Sequence, residues 1–289
     1  MTTAPERQQG SRVSVRSDAP GPERGVLLVP RMAWYHLLLI TRSPIGTFIS
    51  LVIPVMLLVA LYLVTPEMTL QSLGGVHIAQ FLTPSMASFA VLNVGFVDVV
   101  ISVTLARDEG ILRRLHTSPA PPWAYFAGRL ATAVIVAAGA VTIVCGVGVL
   151  FLHVHLPLSS IPMLAAAAAA GLATSFALGI AVSTLVPEAV GALPIAYGVL
   201  LPVAFVSQVF FPAPSEAPWL RDLAAAFPVL PFVRGMQAAF LVSSQPLDAH
   251  GLLIMGGWTG AALLVALFFF SWEPGTRRRR HLRPRSRSR

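Results

Sequence analysis

The chain has 289 residues, 55% of them hydrophobic and only 11% charged, with a mean hydropathy of +0.75; soluble domains carry about 25% charged residues, so there is too little charge here to cover a water-facing surface. All 20 basic residues are Arg and the formal net charge is +8. The lack of Lys excludes a Walker A phosphate loop and Schiff-base chemistry, and the single cysteine, Cys145, excludes an internal disulfide framework and a Cys-based zinc site.

Residues 1–25 are polar, with Pro, Gly and Arg and no apolar core. They read as a disordered cytoplasmic leader and not as a secretory signal. Residues 26–42 are apolar but too short and too charged to span. Trp34 and Tyr35 favour the headgroup level, so this segment is expected to be an interfacial helix along the inner leaflet, or else an extension of the first span. Ser43–Pro44 then turns the chain.

Six long apolar runs follow, at about 46–64, 79–105, 130–152, 161–186, 189–211 and 251–271. Each is near the roughly 20 residues that cross a bilayer core, and Asp98 is the one charge within them. Backbone groups in lipid must be satisfied internally, so each run is expected to be a helix. The alternating segments of a barrel are not seen.

Orientation follows from the arginines. With six spans, the amino segment, the 106–129 loop and the tail share one side, which places eighteen of the twenty Arg in the cytoplasm. A further apolar run, 223–242, holds Pro228, Pro231 and Arg234. As a seventh span it would put the eight-Arg tail outside, so it is expected to form a re-entrant or interfacial helical hairpin on the outer side, packed against protein. The tail, 273–289, is read as an Arg-rich cytoplasmic segment lying on anionic lipid headgroups. No aromatic residues interleave with its arginines, so no nucleic-acid partner is expected.

Between spans two and three lies Arg107-Asp108-Glu109-Gly110-Ile111-Leu112-Arg113-Arg114-Leu115-His116-Thr117. Ile111, Leu112 and Leu115 share a helical face, Arg113 follows Glu109 by four residues in the supportive order, and Pro119, Pro121 and Pro122 end the segment. A short amphipathic cytoplasmic helix is expected. Such a helix can seat its apolar side in a partner's groove, or it is a solvated loop that only fixes topology.

This loop, with Tyr125 and Gly128–Arg129 after it, resembles the loop following the second span of type-2 ABC-transporter permeases. A second match lies between the last two spans: Gln208-Val-Phe-Phe-Pro212, Pro218-Trp219-Leu220, Pro228, Pro231 and Arg234. Arg42-Ser43-Pro44 also fits, and the resemblance covers roughly 26–272. Within the family the chain looks most like daunorubicin-resistance-type drug-export permeases of actinobacteria. The resemblance implies the transmembrane half of an exporter: an all-α integral membrane protein of the cell membrane, non-enzymatic, with no cofactor of its own. ATP and Mg would be held by a separate cytoplasmic ABC ATPase subunit. A second permease chain would complete the pathway, as a homodimer or heterodimer. The implied coupling helix is Arg107, Asp108, Glu109, Gly110, Leu112, Arg113, Arg114, Leu115 and Thr117, and the implied outer re-entrant signature is Pro212, Pro218, Trp219, Pro228, Pro231 and Arg234. The expected substrate is amphipathic, an antibiotic or drug before a lipid or glycan.

Within the spans, Gly171, Ser175, Gly179 and Ser183 recur every four residues. Such a ladder allows close helix approach, within the chain or across a dimer. Gly256 and Gly260 repeat the spacing more weakly, and Pro54, Pro194 and Pro202 are candidate kinks. Asp98 is the intramembrane ionisable candidate. Seven residues before Leu105, it stands about 10 Å from the inner end, where it could reach the interface, pair with Arg129 at the start of span three, or meet a cationic substrate. Asn93, five residues earlier, is a second polar candidate, expected on another face. His153 and His155 point to different faces of a helix, so no metal is expected. The alternatives are a proton-coupled secondary transporter, which would need internal repeats and more intramembrane charges, and a membrane enzyme or non-transporting scaffold.

Overall fold

The computed structural model describes residues 44–65, 68–70, 75–116, 122–211, 218–241 and 248–269. The expected leader, interfacial helix and Arg-rich tail lie outside the described residues, as do Thr117 and Pro212.

Helix α1 (Pro44–Val64) carries Pro54 inside it. Two short strands follow, β1 (Thr69–Leu70) and β2 (Val76–His77), paired antiparallel with Thr69 opposite His77 and Leu70 opposite Val76. This ribbon departs from the all-α expectation: outside a helix the backbone must find partners elsewhere. Helix α2 (Ile78–Leu92) continues through a π-helical turn, Asn93–Val97, into α3 (Asp98–Asp108). After α4 (Ile111–His116) come α5 (Pro122–Phe151), a 3-10 turn (Leu158–Ser160), α6 (Ile161–Leu185), α7 (Ala189–Val206), α8 (Pro218–Ala226), α9 (Val229–Ala238) and α10 (Ala249–Phe269).

Among the described residues five helical runs are long and apolar enough to cross a membrane: Ile78–Asp108, Trp123–Phe151, Leu158–Leu185, Ala189–Val206 and Ala249–Phe269. Two boundaries differ by five residues or more from those the sequence predicts. The third of the six predicted runs begins at Pro122 and not near 130, because proline suits the first helical position; Arg129 therefore lies two turns inside the helix. The fifth predicted run stops at Val206 and not at 211. Gln208 takes a left-handed φ of 62°, and the chain folds Phe210 back onto Phe205 and Phe89, with ring centroids 4.7 and 5.2 Å away.

The α2–π–α3 run is the central pillar. In its apolar window 78% of residues are buried, against 28% for α5, 22% for α7 and 17% for α10. Helices α1 and α5 pack on α2, α7 packs on the π turn and α3, and α6 runs along the whole pillar. Helix α10 packs on α6, and α9 sits among α2, α6 and α10. A pillar this deep can carry polar residues because its own backbone satisfies them. Thr83, Ser85, Ser88 and Asn93 are fully buried, and each donates to the carbonyl four residues earlier at 2.8–2.9 Å.

At one end of the bundle Gln80 ties α2 to two later segments. Its Nε2 donates to the carbonyls of His155 (2.6 Å) and Phe240 (2.9 Å), and its Oε1 accepts from the His155 amide at 2.9 Å. The last residues of α3 and α6 and the first of α7 meet at the opposite end.

Candidate functional site

The charged segment after α3 is divided differently from the single helix expected over 107–117. Helix α3 runs on to Asp108, and Gly110 breaks the chain at φ +71° before α4 starts. A Cβ on Gly110 would meet nothing within 4 Å, so this glycine answers a backbone requirement and not a packing one.

Arg107 consequently turns into the bundle, while Asp108, though exposed, reaches across to the start of α7. Arg107 is buried, with Nη1 donating to the Ser183 carbonyl at 3.3 Å and Nη2 to that of Val186. Its Nε has no partner. Asp108 Oδ2 accepts from the Ala189 amide at 2.6 Å. Leu112 is fully buried in this chain, which corrects its expected place on a partner-facing surface: it anchors α4 to the bundle. Asp108, Glu109, Ile111, Arg113 and Arg114 are the exposed residues of this segment among those described. Only the backbone of Leu115 falls within the description.

The small-residue ladder on α6 packs inside the chain, a choice the sequence left open. A Cβ on Gly171 would overlap the Phe232 ring of α9, and one on Gly95 would overlap the Ser175 hydroxyl. One on Gly179 would stand 3.0 Å from the carbonyl oxygens of Gly95 and Phe96. Ser183 supplies the carbonyl that Arg107 grips. The ladder is therefore a seam along the pillar and its π turn. Gly256 and Gly260 on α10, by contrast, face open space.

The π turn also changes the relation of Asn93 to Asp98. A π turn closes on the fifth residue, and the Asp98 amide donates to the Asn93 carbonyl. The two are one turn apart, where an α-helical reading puts them on different faces. Asn93 Oδ1 accepts from the Tyr197 hydroxyl of α7 at 2.9 Å, and Tyr197 lies within electrostatic reach of Asp98. From α5, Arg129 Nη2 donates to the Asp98 carbonyl at 3.2 Å. Helices α5 and α7 thus both bring polar groups to this turn.

Two short helices, α8 and α9, stand where the sequence shows the apolar run 223–242, and the first of them begins earlier, at Pro218. Pro228 sits buried at their bend, as the residue before α9. Phe232 meets α6 at Gly171, ten residues and about 15 Å along that helix. Trp258, nine residues and about 13 Å into α10, donates Nε1 to the Ala226 carbonyl at 2.8 Å and stacks on Phe227 at 5.8 Å. Gln237 Nε2 donates to Ser85 Oγ of α2 at 2.9 Å. Pro231 abuts Gly251 at the start of α10, whose amide is capped by Asp248 at 2.7 Å. Arg234 and Trp219 are exposed; Pro218 opens α8. His153 lies past the end of α5 with φ +54°.

A family model for the ABC-2 type transporter matches residues 29–241, well over half of the chain. The chain belongs to the ABC-2 type transporter family. It is the multi-pass, membrane-spanning permease subunit of an ABC exporter, and its family implies an ATPase partner subunit. No curated protein matches its sequence.

Several residues that hold the permease together escaped the sequence reading. Gln80, Tyr197, Gln237 and Trp258 each bridge separate segments. Polarity inside an apolar run was the available signal for the first three. Gly95 carried no signal, because it lies outside any ladder on its own helix.

Proposed function

We propose that this permease exports an amphipathic molecule, a drug or antibiotic in the manner of daunorubicin-resistance-type permeases before a lipid or glycan intermediate. In this reading α1 is a sixth span, both termini are cytoplasmic, and α8 and α9 form a re-entrant outer hairpin. The mid-length contacts of Phe232 with α6 and of Trp258 with the hairpin support the last point. Two permease chains and two ATPase chains assemble around one pathway, with ATP and Mg on the ATPases. Helix α4 docks on the ATPase, whose closure on nucleotide pushes α4 and switches the spans between inward and outward access.

The observation that carries this reading is α4 itself. It is a short helix at the Arg-rich end of the bundle, rooted by buried Leu112, with Glu109, Ile111, Arg113 and Arg114 turned outward. Charges on such a surface fix register and partner choice. The test is co-expression with a cognate ABC ATPase and copurification in detergent. The parent retains the ATPase, and Glu109→Arg and Arg113→Glu each release it. A parent permease that holds no ATPase removes the energy source and brings a secondary transporter to the front.

A further inference from the structure

The link between α6 and α7 is held from outside by two adjacent residues of opposite charge. A helix C-terminus presents unpartnered carbonyls and partial negative charge, and an N-terminus presents unpartnered amides and partial positive charge. Arg107 places its guanidinium on the carbonyls of Ser183 and Val186, at the end of α6. Asp108 places its carboxylate on the amide of Ala189, the first residue of α7. Only Pro187 and Glu188 separate the two gripped positions. Each charge sits on the helix end whose dipole it complements.

From this geometry we propose that Arg107 and Asp108 are positioning residues, locking the inner end of α3 to the α6–α7 link so that motion of α4 reaches α6 and α7 through one rigid joint. The proposal rests on the coupling role given to α4 above, and it assigns this pair, Arg107 buried and Asp108 exposed, to holding the joint and not to contacting the ATPase. The lever is short: Glu109 and Gly110 alone connect Asp108 to α4. Side-chain packing between α3 and α7 by itself permits sliding. Directional bonds from one dipeptide to two helix termini do not. Arg107 is buried and directs both terminal nitrogens to carbonyls of this chain, which keeps its guanidinium away from a docked subunit.

The joint is tested in the full-length permease, reconstituted with its ATPase in lipid nanodiscs. Cys145→Ala removes the native thiol, and spin labels are placed through Leu105→Cys on α3 and Val190→Cys on α7, both exposed positions. Electron–electron distance distributions are recorded with ADP and with ATP plus vanadate. The parent is expected to give one narrow distance in both states. Asp108→Ala is expected to broaden it and make it nucleotide-dependent, with at least a fivefold loss of permease-dependent stimulation of ATP hydrolysis. ATPase copurification should stay within twofold of the parent. Asp108→Asn, which keeps an acceptor oxygen for the Ala189 amide, is expected to restore the narrow distance.

An unchanged distribution in Asp108→Ala overturns the proposal. So does loss of copurification equal to that of Glu109→Arg, since it would make Asp108 a docking contact. Arg107→Lys serves as the second variant, because Arg107→Ala would leave a buried gap that threatens folding. Lys cannot fork to both carbonyls and is expected to broaden the distance as well. If the parent holds no ATPase, the coupling reading fails, while the distances in permease alone, with and without Asp108→Ala, still decide whether the joint is rigid.

Discussion

Gly95→Ala is a small change with a large expected cost. On an ordinary helix surface, Gly to Ala stabilises by about 1 kcal/mol. Here the new methyl points into α6. It overlaps the Ser175 hydroxyl and stands 3.0 Å from Ser175 Cβ and 3.1 Å from Leu172 Cδ1, inside the roughly 3.5–4.0 Å optimum for carbon contacts. The hydroxyl can rotate away, but only by giving up its 3.1 Å bond to the Leu172 carbonyl, worth about 1 kcal/mol. The two carbon contacts then require α6 and the π turn to separate, and overpacking of this kind costs about 1–3 kcal/mol. The net expectation is a loss of about 1–3 kcal/mol, opposite in sign to helix propensity. Ser175→Gly removes both the hydroxyl and the Cβ, so the double variant should recover most of that loss, with a coupling energy of about 1–2 kcal/mol. The assay is reversible unfolding of the four proteins of this cycle in mixed micelles, followed by tryptophan fluorescence. Gly95→Ala as stable as the parent, or a cycle additive within about 0.3 kcal/mol, would refute the close seam between the π turn and α6.

Gly110→Ala meets no atom and should cost only the left-handed backbone strain, about 1–2 kcal/mol, with Gly110→Asn intermediate; thermal unfolding ranks the three, and equal stability would deny the φ of +71°. The Gln237–Ser85 bond should show a coupling of about 0.6 kcal/mol, typical of bonds between membrane helices, in a Gln237→Leu and Ser85→Ala cycle; zero coupling would detach α9 from α2. Cys145 is buried, so maleimide should label it slowly in the folded permease and completely in SDS, and fast labelling of folded protein would mean that α5 is open there. Asp98→Asn is expected to lower protein level or transport, given the convergence of Arg129, Asn93 and Tyr197 on that turn; wild-type values of both would leave Asp98 without a role.

Local chemistry made much of this protein legible before its structure. A bilayer rewards uninterrupted apolar length, so the five helices long and apolar enough to cross could be read from where charge is absent. The boundaries were less legible. Pro122 starts a helix eight residues before Leu130, where the apolar run begins, and Gln208 ends one while the sequence is still apolar. In both places backbone stereochemistry outweighs hydropathy.

The candidate site was legible in its residue types and not in its directions. Arg107 and Arg113 belong to one charged cluster in the sequence, yet Arg107 turns inward and Arg113 stands on the exposed side. The left-handed turn at Gly110 gives α3 and α4 different faces. The Gly171–Ser183 ladder announced close packing but not its partner, because four-residue spacing describes one helix surface and says nothing of the other. Gly95 and Phe232 complete it from distant points in the chain. Asn93 and Asp98 looked unrelated at a spacing of five, since an α-helix turns them apart; one π turn brings them into register. The sequence by itself determined that this chain lives in a membrane, roughly where it crosses, and which family it serves. Only the tertiary structure decided which polar groups meet, because those meetings depend on helix rotation and on single irregular turns, to which hydropathy and spacing are blind.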